Sequence, residues 1–310
     1  MKIKRLLVWL RSSIIVNAIR NFSQNLVLPG FDGMSLYEVS KFTLEAFFRS
    51  DIMTKSAAIS FRLFISLFPA LILLVSLIPY IPIDNFQQTL LNSIYSILPN
   101  SAESFLSTTI EDLVTKKHTA FLSIGFILTI YYASNIINSI LSTFSSSYQI
   151  QAKRNFLKQR IISFGLMLLI TVLMLVGFAL ILFGESYLTY LTEDVMYISQ
   201  AMVVLIQIIK WVSVVFLFNA AISALYNVAF IERKKWKIIS SGASVATIGI
   251  ILVSLGFSFF IDNFSSFNKL YGSIGSLIVF LLWINVSSTI LIIGFELYAK
   301  TNNKYSSVNE

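Results

Sequence analysis

The chain has 310 residues, of which 56% are hydrophobic and 12% are charged, and its mean hydropathy is +0.79. Soluble domains average about 25% charged residues, so the composition excludes an ordinary soluble protein and predicts an all-α, polytopic membrane protein. The absence of cysteine and the single histidine, His118, exclude a disulfide framework and a thiolate or clustered-histidine metal site. We therefore expect no metal and no cofactor.

The first 55 residues predict a cytoplasmic amphipathic segment. Residues 1–25 alternate basic and apolar side chains, a pattern typical of a helix that lies on an anionic membrane surface without crossing it. After a turn region, Ser35 and Glu38 have the spacing of a capping box and predict a second helix that ends near Arg49.

Six long apolar runs follow, and each is long enough to cross a hydrocarbon core of about 30 Å as a helix. The predicted membrane domain is 56–300 and the predicted cytoplasmic tail is 301–310. The spans are predicted at about 56–80, 121–148, 161–183, 198–230, 238–261 and 271–300. Pro69 predicts a kink in the first span. The longest loop, 81–118, predicts an amphipathic helix at about 101–114.

The distribution of Lys and Arg predicts the orientation. Residues 1–55 hold eight of them, and the loops 149–160 and 231–237 hold four each. The intervening loops 81–118, 184–197 and 262–270 hold two, none and one. Because basic residues are retained in the cytoplasm, this alternation predicts that both termini are cytoplasmic. The same placement explains the net charge of +8 without a nucleic-acid partner.

The last span carries a polar stripe. Asn285, Thr289, Ile292 and Glu296 are spaced by four, three and four residues, which places them on one helical face. We expect that face to contact protein. Lys300, four residues after Glu296, and Arg62, at a similar depth in the first span, are the two predicted partners of the Glu296 carboxylate.

Several short segments together resemble the YihY/BrkB family of bacterial inner-membrane proteins. They are Ala57–Phe61 with Ser66–Pro69, Arg154–Phe156, Leu225–Asn227, Ser241–Ala243, Tyr271–Gly275, Leu282–Trp283 and Gly294–Glu296. One departure is Phe230-Ile231, where relatives often have a proline. The resemblance implies a six-helix inner-membrane protein of poorly defined role. Family members have been labelled ribonuclease BN, serum-resistance factors or virulence factors, and some evidence connects the family with envelope lipid or lipid A precursor export.

The ribonuclease label conflicts with the residues present. A metal-dependent nuclease needs clustered His and carboxylate ligands. His118 falls in an outer loop, and the acidic residues of the first 55 positions form no ligand motif. The sequence therefore predicts that the protein is not an enzyme.

Arg62 is the strongest candidate for ligand binding. An arginine at the centre of a membrane helix costs about 2.5–3.5 kcal/mol on insertion scales, so it usually has a function or a partner. Its guanidinium suits a lipid phosphate, and Ser66 and Pro69 share its face. Extension of the side chain to the headgroups is the alternative, and for Lys210 in the fourth span that extension is the favoured interpretation.

Asparagines in three spans extend this hypothesis. They either line a polar groove that opens toward the cytoplasmic leaflet, or join helices by hydrogen bonds of about 0.6 kcal/mol each. The residues are Asn135, Asn138, Asn219, Asn227 and Asn285.

The sequence thus predicts an inner-membrane protein that translocates or presents an anionic envelope lipid, with anionic headgroups as its partners. A solute or ion transporter and a non-transporting scaffold for envelope biogenesis are the alternatives. The sequence leaves open whether the protein forms a homo-oligomer or binds an envelope protein.

Overall fold

A computed structural model describes residues 22–27, 30–82, 85–97, 107, 110–112, 114–147, 154–190, 200–230, 236–263 and 273–306. Over these residues the regular secondary structure is entirely helical, which confirms the all-α class. Eight of the helices are α1 Leu36–Phe47, α2 Ser50–Leu77, α3 Phe86–Ile97, α4 Thr119–Ser147, α5 Phe156–Tyr190, α6 Gln200–Ala229, α7 Ser241–Asn263 and α8 Ser273–Ser306. Six of them, α2 and α4 to α8, are long and apolar enough to cross a membrane. The protein is therefore a multi-pass membrane protein.

Several membrane helices extend beyond the apolar runs that predicted them, whereas α6 stays within its predicted range. α2 begins at Ser50, before the predicted start, and its first turn holds an i, i+4 ion pair between Asp51 and Lys55 at 3.5 Å. α8 continues to Ser306, past the predicted end of the last span. Hydropathy marks only the apolar part of a helix, so polar turns at either end are missed. α2 also continues through Pro69 as one helix, and a bend there stays a prediction.

Two predicted helices fall mostly outside the described residues. These are the N-terminal segment, of which 1–21 are not described, and the helix at about 101–114, of which 101–106, 108–109 and 113 are not described. The same long loop contains α3, which the sequence analysis missed. Its apolar residues Phe86, Leu90 and Ile97 have a helical spacing that could have revealed it.

The chain divides into two compact units, one of Met1–Ser60 with Asn138–Glu310 and one of Phe61–Ile137. In the smaller unit, Gly125 of α4 lies against the α2 backbone, since a Cβ at Gly125 would be 3.3 Å from Leu73 Cα. Gln87 of α3 donates to the carbonyl oxygens of Ile78 and Ile81, both at 3.2 Å. These bonds fix the turn that follows α2.

In the larger unit, the ends of six membrane helices meet on one side, called here the charged end. The hydrogen bonds that join them are Lys55 to Ser147 (3.0 Å), Arg154 to the Val228 carbonyl (2.5 Å), Ser241 with Thr301 (3.3 Å) and Arg49 to Glu296 (2.5 Å). The starts of α2, α5 and α7 thus lie beside the ends of α4, α6 and α8. This alternation is the arrangement that six successive crossings require.

Two glycines bring α7 and α8 into close contact. A Cβ at Gly242 would lie 2.1 Å from the Gly294 carbonyl oxygen, so no larger residue fits there without a backbone shift. Gly242, Ala246 and Gly249 of α7 all lie close to α8, as small residues do where two membrane helices pack closely. Next to this crossing, the rings of Phe144 and Phe295 stack with centroids 4.3 Å apart.

The predicted capping box at the start of α1 is also confirmed. The Ser35 hydroxyl accepts from the Glu38 backbone N–H, and the Glu38 carboxylate accepts from the Ser35 N–H at 3.1 Å. α1 packs against α8 through Val39 and Leu297, both buried. The amphipathic helix that precedes the membrane domain is therefore docked on the last span.

Candidate functional site

The polar stripe of α8 faces protein, as predicted. Thr289 is 4% exposed, Ile292 is fully buried and Glu296 is 4% exposed, while Asn285 is half-buried. Because a buried carboxylate is costly unless it is paired, the position of Glu296 requires a cation beside it.

That cation is Arg49, which neither sequence-based alternative named. Arg49 Nη2 donates to Glu296 Oε1 at 2.5 Å and to Oε2 at 2.6 Å. The Arg49 side chain is 44% exposed, so the pair joins a buried carboxylate to a cation that reaches solvent. Arg49 lies 247 residues from Glu296 in the segment assigned to the cytoplasm, and no sequence pattern connects the two.

Lys300, one of the two predicted partners of Glu296, contacts α1 instead. Its Nζ lies 4.7 Å from the centre of the Phe42 ring, a cation–π contact with α1. It forms no ion pair with any residue that the structure describes. The expected i, i+4 pair between Glu296 and Lys300 is therefore replaced by two contacts to the N-terminal segment.

A cavity of about 330 Å³ lies among these side chains. Four elements line it: α1 with Phe42, the connection before α2 with Arg49, the last residue of α4 with Ser147, and α8 with Glu296 and Lys300. We call it the charged cavity. It contains a guanidinium, an ammonium group, a carboxylate and a hydroxyl. It can therefore bind a polar ligand through hydrogen bonds and place a charged side chain next to it.

Arg62 is exposed on α2 and forms no hydrogen bond or ion pair with another described residue of its own unit. Ser66, one turn further, donates its hydroxyl to the Leu63 carbonyl at 2.6 Å and is half-buried. Arg62 is therefore an exposed cationic residue within a helix that is long and apolar enough to cross a membrane.

Two of the predicted asparagines join helices. The amide nitrogen of Asn219 donates to Thr247 Oγ1 at 3.2 Å, between α6 and α7. That of Asn285 approaches Ser60 Oγ at 3.5 Å, between α8 and α2. These contacts favour the helix-joining interpretation at both positions.

Asn227 acts at the charged end and not in a groove. Its amide donates to the carbonyls of Ser223 and Lys237, both at 2.7 Å, and its oxygen accepts from the Lys237 N–H at 3.0 Å and from the Tyr298 hydroxyl at 2.9 Å. One side chain thus holds together the end of α6, the segment before α7 and the end of α8. We assign it a structural role.

Asn135 and Asn138 are both half-buried on α4. Asn135 has an interaction partner. The buried Oδ1 atoms of Asn138 and Asn219 accept no hydrogen bond from the part of the chain that the structure describes. Both oxygens keep the capacity to accept a hydrogen bond from a polar ligand.

The position of Lys210 differs from the one that the sequence predicted. It was expected to extend to the interface, but it is 8% exposed, with Nζ 5.6 Å from the centre of the Trp211 ring. A Cβ at Gly184 would lie 2.7 Å from the Lys210 Cδ, so the missing side chain at Gly184 makes room for the lysine stem. The side chain packs on α5 because glycine leaves that space open.

Arg154 holds the beginning of α5 to the end of α6. Its guanidinium donates to the Val228 carbonyl, an acceptor near the C-terminus of a helix, where a cation is favourable. Burial lowers the pKa of the Arg154 guanidinium from its ordinary value. Among the described residues, no group of three or more His, Asp or Glu side chains is placed to hold a metal ion.

Comparison with known proteins gives a family match over most of the chain. The sequence model of the family described as Virulence factor BrkB matches residues 43–310. A Bacillus subtilis (strain 168) protein, YfkH, whose name describes it as ribonuclease-like, is 30% identical over 79% of this chain and 88% of its own length. UPF0761 membrane proteins of Aggregatibacter aphrophilus and Haemophilus influenzae are each 24% identical, over 81% and 78% of this chain and 88% and 87% of their own lengths. No solved structure shows significant similarity to the chain.

Proposed function

Since the chain belongs to the virulence factor BrkB family, a family of membrane proteins, we propose that it is an inner-membrane protein that binds an anionic envelope lipid and presents it to, or moves it toward, the opposite leaflet. The charged end is the cytoplasmic side in this proposal. The positive-inside rule supports that side, because the described cations Arg49, Lys55, Arg154 and Lys237 all belong to it.

The observation that carries the proposal is the exposed Arg62 inside a membrane-crossing helix. It lies six residues after the predicted start of the first span at about residue 56, which at about 1.5 Å per residue is about 9 Å along the helix. A guanidinium at that depth is unfavourable unless it meets an anion or reaches the headgroups. Its forked N–H groups fit two oxygens of one phosphate, so an anionic lipid that approaches from the bilayer is the ligand that this geometry favours.

Leaflet exchange in reconstituted vesicles tests the proposal. The purified protein is placed in vesicles that contain a fluorescent phosphatidylglycerol, and the label left accessible to an added quencher is followed over time. We expect the protein to accelerate exchange. Arg62→Gln should slow exchange by about tenfold, because it removes one charge-assisted contact. Arg62→Lys keeps the positive charge and should retain part of the rate.

Lys41→Gln is the matched control, because Lys41 is an exposed lysine on α1 whose side chain is 59% exposed and whose loss removes the same single charge. Exchange that is equal with and without the protein, or equal in Arg62→Gln and Lys41→Gln, would overturn the proposal. A protein that instead moves a labelled ion or soluble solute would be a transporter of the alternative class. Loss of envelope function on deletion of residues 1–21, which keeps α1 and Arg49, with exchange intact, would favour the scaffold.

A further inference from the structure

We propose that the charged cavity is a second anion site, which binds one phosphate group at Lys300 and Arg49 on the membrane surface. The inference rests on the proposed function for the source of that phosphate, a lipid headgroup. The site itself stands on side chains that are distinct from Arg62.

The size of the cavity suits a headgroup. Its volume of about 330 Å³ lies at the lower end of the range of about 300–1,000 Å³ that small-molecule sites occupy. A phosphate with an attached glycerol or similar polar group therefore fits, whereas a whole lipid would have to leave its acyl chains outside.

The charges in and beside the cavity leave one positive charge over. The three cations and two carboxylates are Arg49, Lys55, Lys300, Asp51 and Glu296. Asp51 and Glu296 are neutralised by Arg49 and Lys55, whereas Lys300 forms no ion pair with any described residue. A phosphodiester carries a single negative charge, so it would neutralise the cavity without an excess of either sign.

Donors are available where that phosphate would lie. Lys300 is exposed and its ammonium carries three N–H groups, none of which is committed to a carboxylate among the described residues. Arg49 uses Nη2 for Glu296 and directs Nε toward Asp51 at 3.4 Å, which leaves its other terminal nitrogen. The Ser147 hydroxyl, which accepts from Lys55, still has its own hydrogen to donate.

The cavity lies at the ends of two membrane-crossing helices, where we expect the lipid headgroups. Arg49 directly precedes the first membrane helix, and Lys300 lies two residues before the end of the last span at Asn302. Phe48, the residue directly before the cavity-lining Arg49, is 75% exposed. An exposed apolar side chain next in sequence to a charged lining residue suits a ligand whose acyl chains stay in the bilayer while its phosphate enters the cavity.

Binding to the full-length protein in neutral detergent tests the site without any transport step. The probes are short-chain phosphatidylglycerol, glycerol 3-phosphate, inorganic phosphate and, as the uncharged reference, a short-chain diacylglycerol. We expect phosphatidylglycerol to bind and Lys300→Gln to weaken its affinity about five- to tenfold, the effect of losing one partly exposed charge contact. Lys41→Gln, the exposed control, should bind as the unmodified protein does.

The outcomes separate the sources of the phosphate. Binding of phosphatidylglycerol alone supports a lipid headgroup site, and equal binding of glycerol 3-phosphate or inorganic phosphate supports a site for a soluble phosphate. Equal affinity of Lys300→Gln and Lys41→Gln for every probe, or no binding at all, overturns the inference. Thermal unfolding of Lys300→Gln without ligand should be lowered only slightly, by the loss of the cation–π contact with Phe42, and a cooperative transition excludes a folding defect.

Failure of this site and failure of the proposed function are distinguishable. If Arg62→Gln does not alter leaflet exchange but Lys300→Gln weakens headgroup binding, the cavity is a lipid site in a protein that does not move lipid. If Arg62→Gln slows leaflet exchange while Lys300→Gln leaves the affinity for every probe unchanged, the proposed function holds and the second site is wrong.

Discussion

At the scale of the residue, Glu296 shows how this chain places a carboxylate inside a helix bundle. The side chain is 5% exposed, and its charge is balanced by an arginine that remains 44% exposed. Removing one partner of a buried ion pair is far more destabilising than replacing both, because the remaining charge is left without compensation. Arg49 is therefore as important for the last span as any residue within it.

We expect Arg49→Met to lower the free energy of unfolding by about 1–3 kcal/mol, less than for a fully buried pair because Arg49 is partly in solvent. The double variant Arg49→Met with Glu296→Leu should recover much of this loss, since it leaves no buried charge. Thermal unfolding in detergent measures both. Lys41→Met, which breaks the exposed pair with Glu45, is the control and should change little. A double variant as unstable as Arg49→Met alone would contradict this account of the pair.

At the scale of the element, glycine decides which helices touch. Gly242 and Gly294 place the backbones of α7 and α8 against each other. At Gly165 on α5, by contrast, no described atom beyond its own turn of helix lies within 4 Å of the position where a Cβ would be. In a bilayer, helices are held by close packing and hydrogen bonds rather than by the exclusion of water. The α7–α8 crossing therefore depends on the absence of side chains at two positions.

Gly242→Ala should destabilise the protein by about 2 kcal/mol or more, because its Cβ would overlap the Gly294 carbonyl oxygen and force a backbone shift. Gly165→Ala makes the same chemical change in open space. It should leave stability unchanged or slightly higher, as alanine favours helix more than glycine does. The two variants are compared by thermal unfolding in the same detergent, and equal stabilities would show that the crossing tolerates a methyl group.

At the scale of the whole molecule, the contacts of the charged end agree with the alternation of basic and non-basic loops. The starts of three membrane helices and the ends of three others lie together in the larger unit, as six crossings require. These contacts show which helix ends lie on the same side of the bundle. The positive-inside rule is the reason for proposing that this side is cytoplasmic.

The natural chain has no cysteine, so single-cysteine variants report orientation without background. In intact spheroplasts, a membrane-impermeant maleimide should label Asn92→Cys, in the loop after the first span. It should label Lys41→Cys, on α1, only after permeabilisation. Both positions are exposed. The reverse pattern would invert the proposed orientation, and labelling of both in intact spheroplasts would contradict the assignment of the two positions to opposite sides.

The sequence by itself determined the all-α class, the six spans, the capping box before α1 and the buried face of α8. These features depend on hydropathy and helical period, which are properties of neighbouring residues. It missed α3 and the true helix ends, because polar turns and a short amphipathic helix leave weak local signals.

Only the tertiary structure decided what the polar residues do. The Asn227 side chain forms hydrogen bonds that connect three segments. Lys210 packs into the space left by Gly184. Glu296 forms an ion pair with Arg49, which is 247 residues away in the sequence. Each of these contacts joins side chains whose separation is set by the packing of whole helices. No local pattern encodes such a distance, so the charged cavity, too, emerges only when α1, α2, α4 and α8 are assembled.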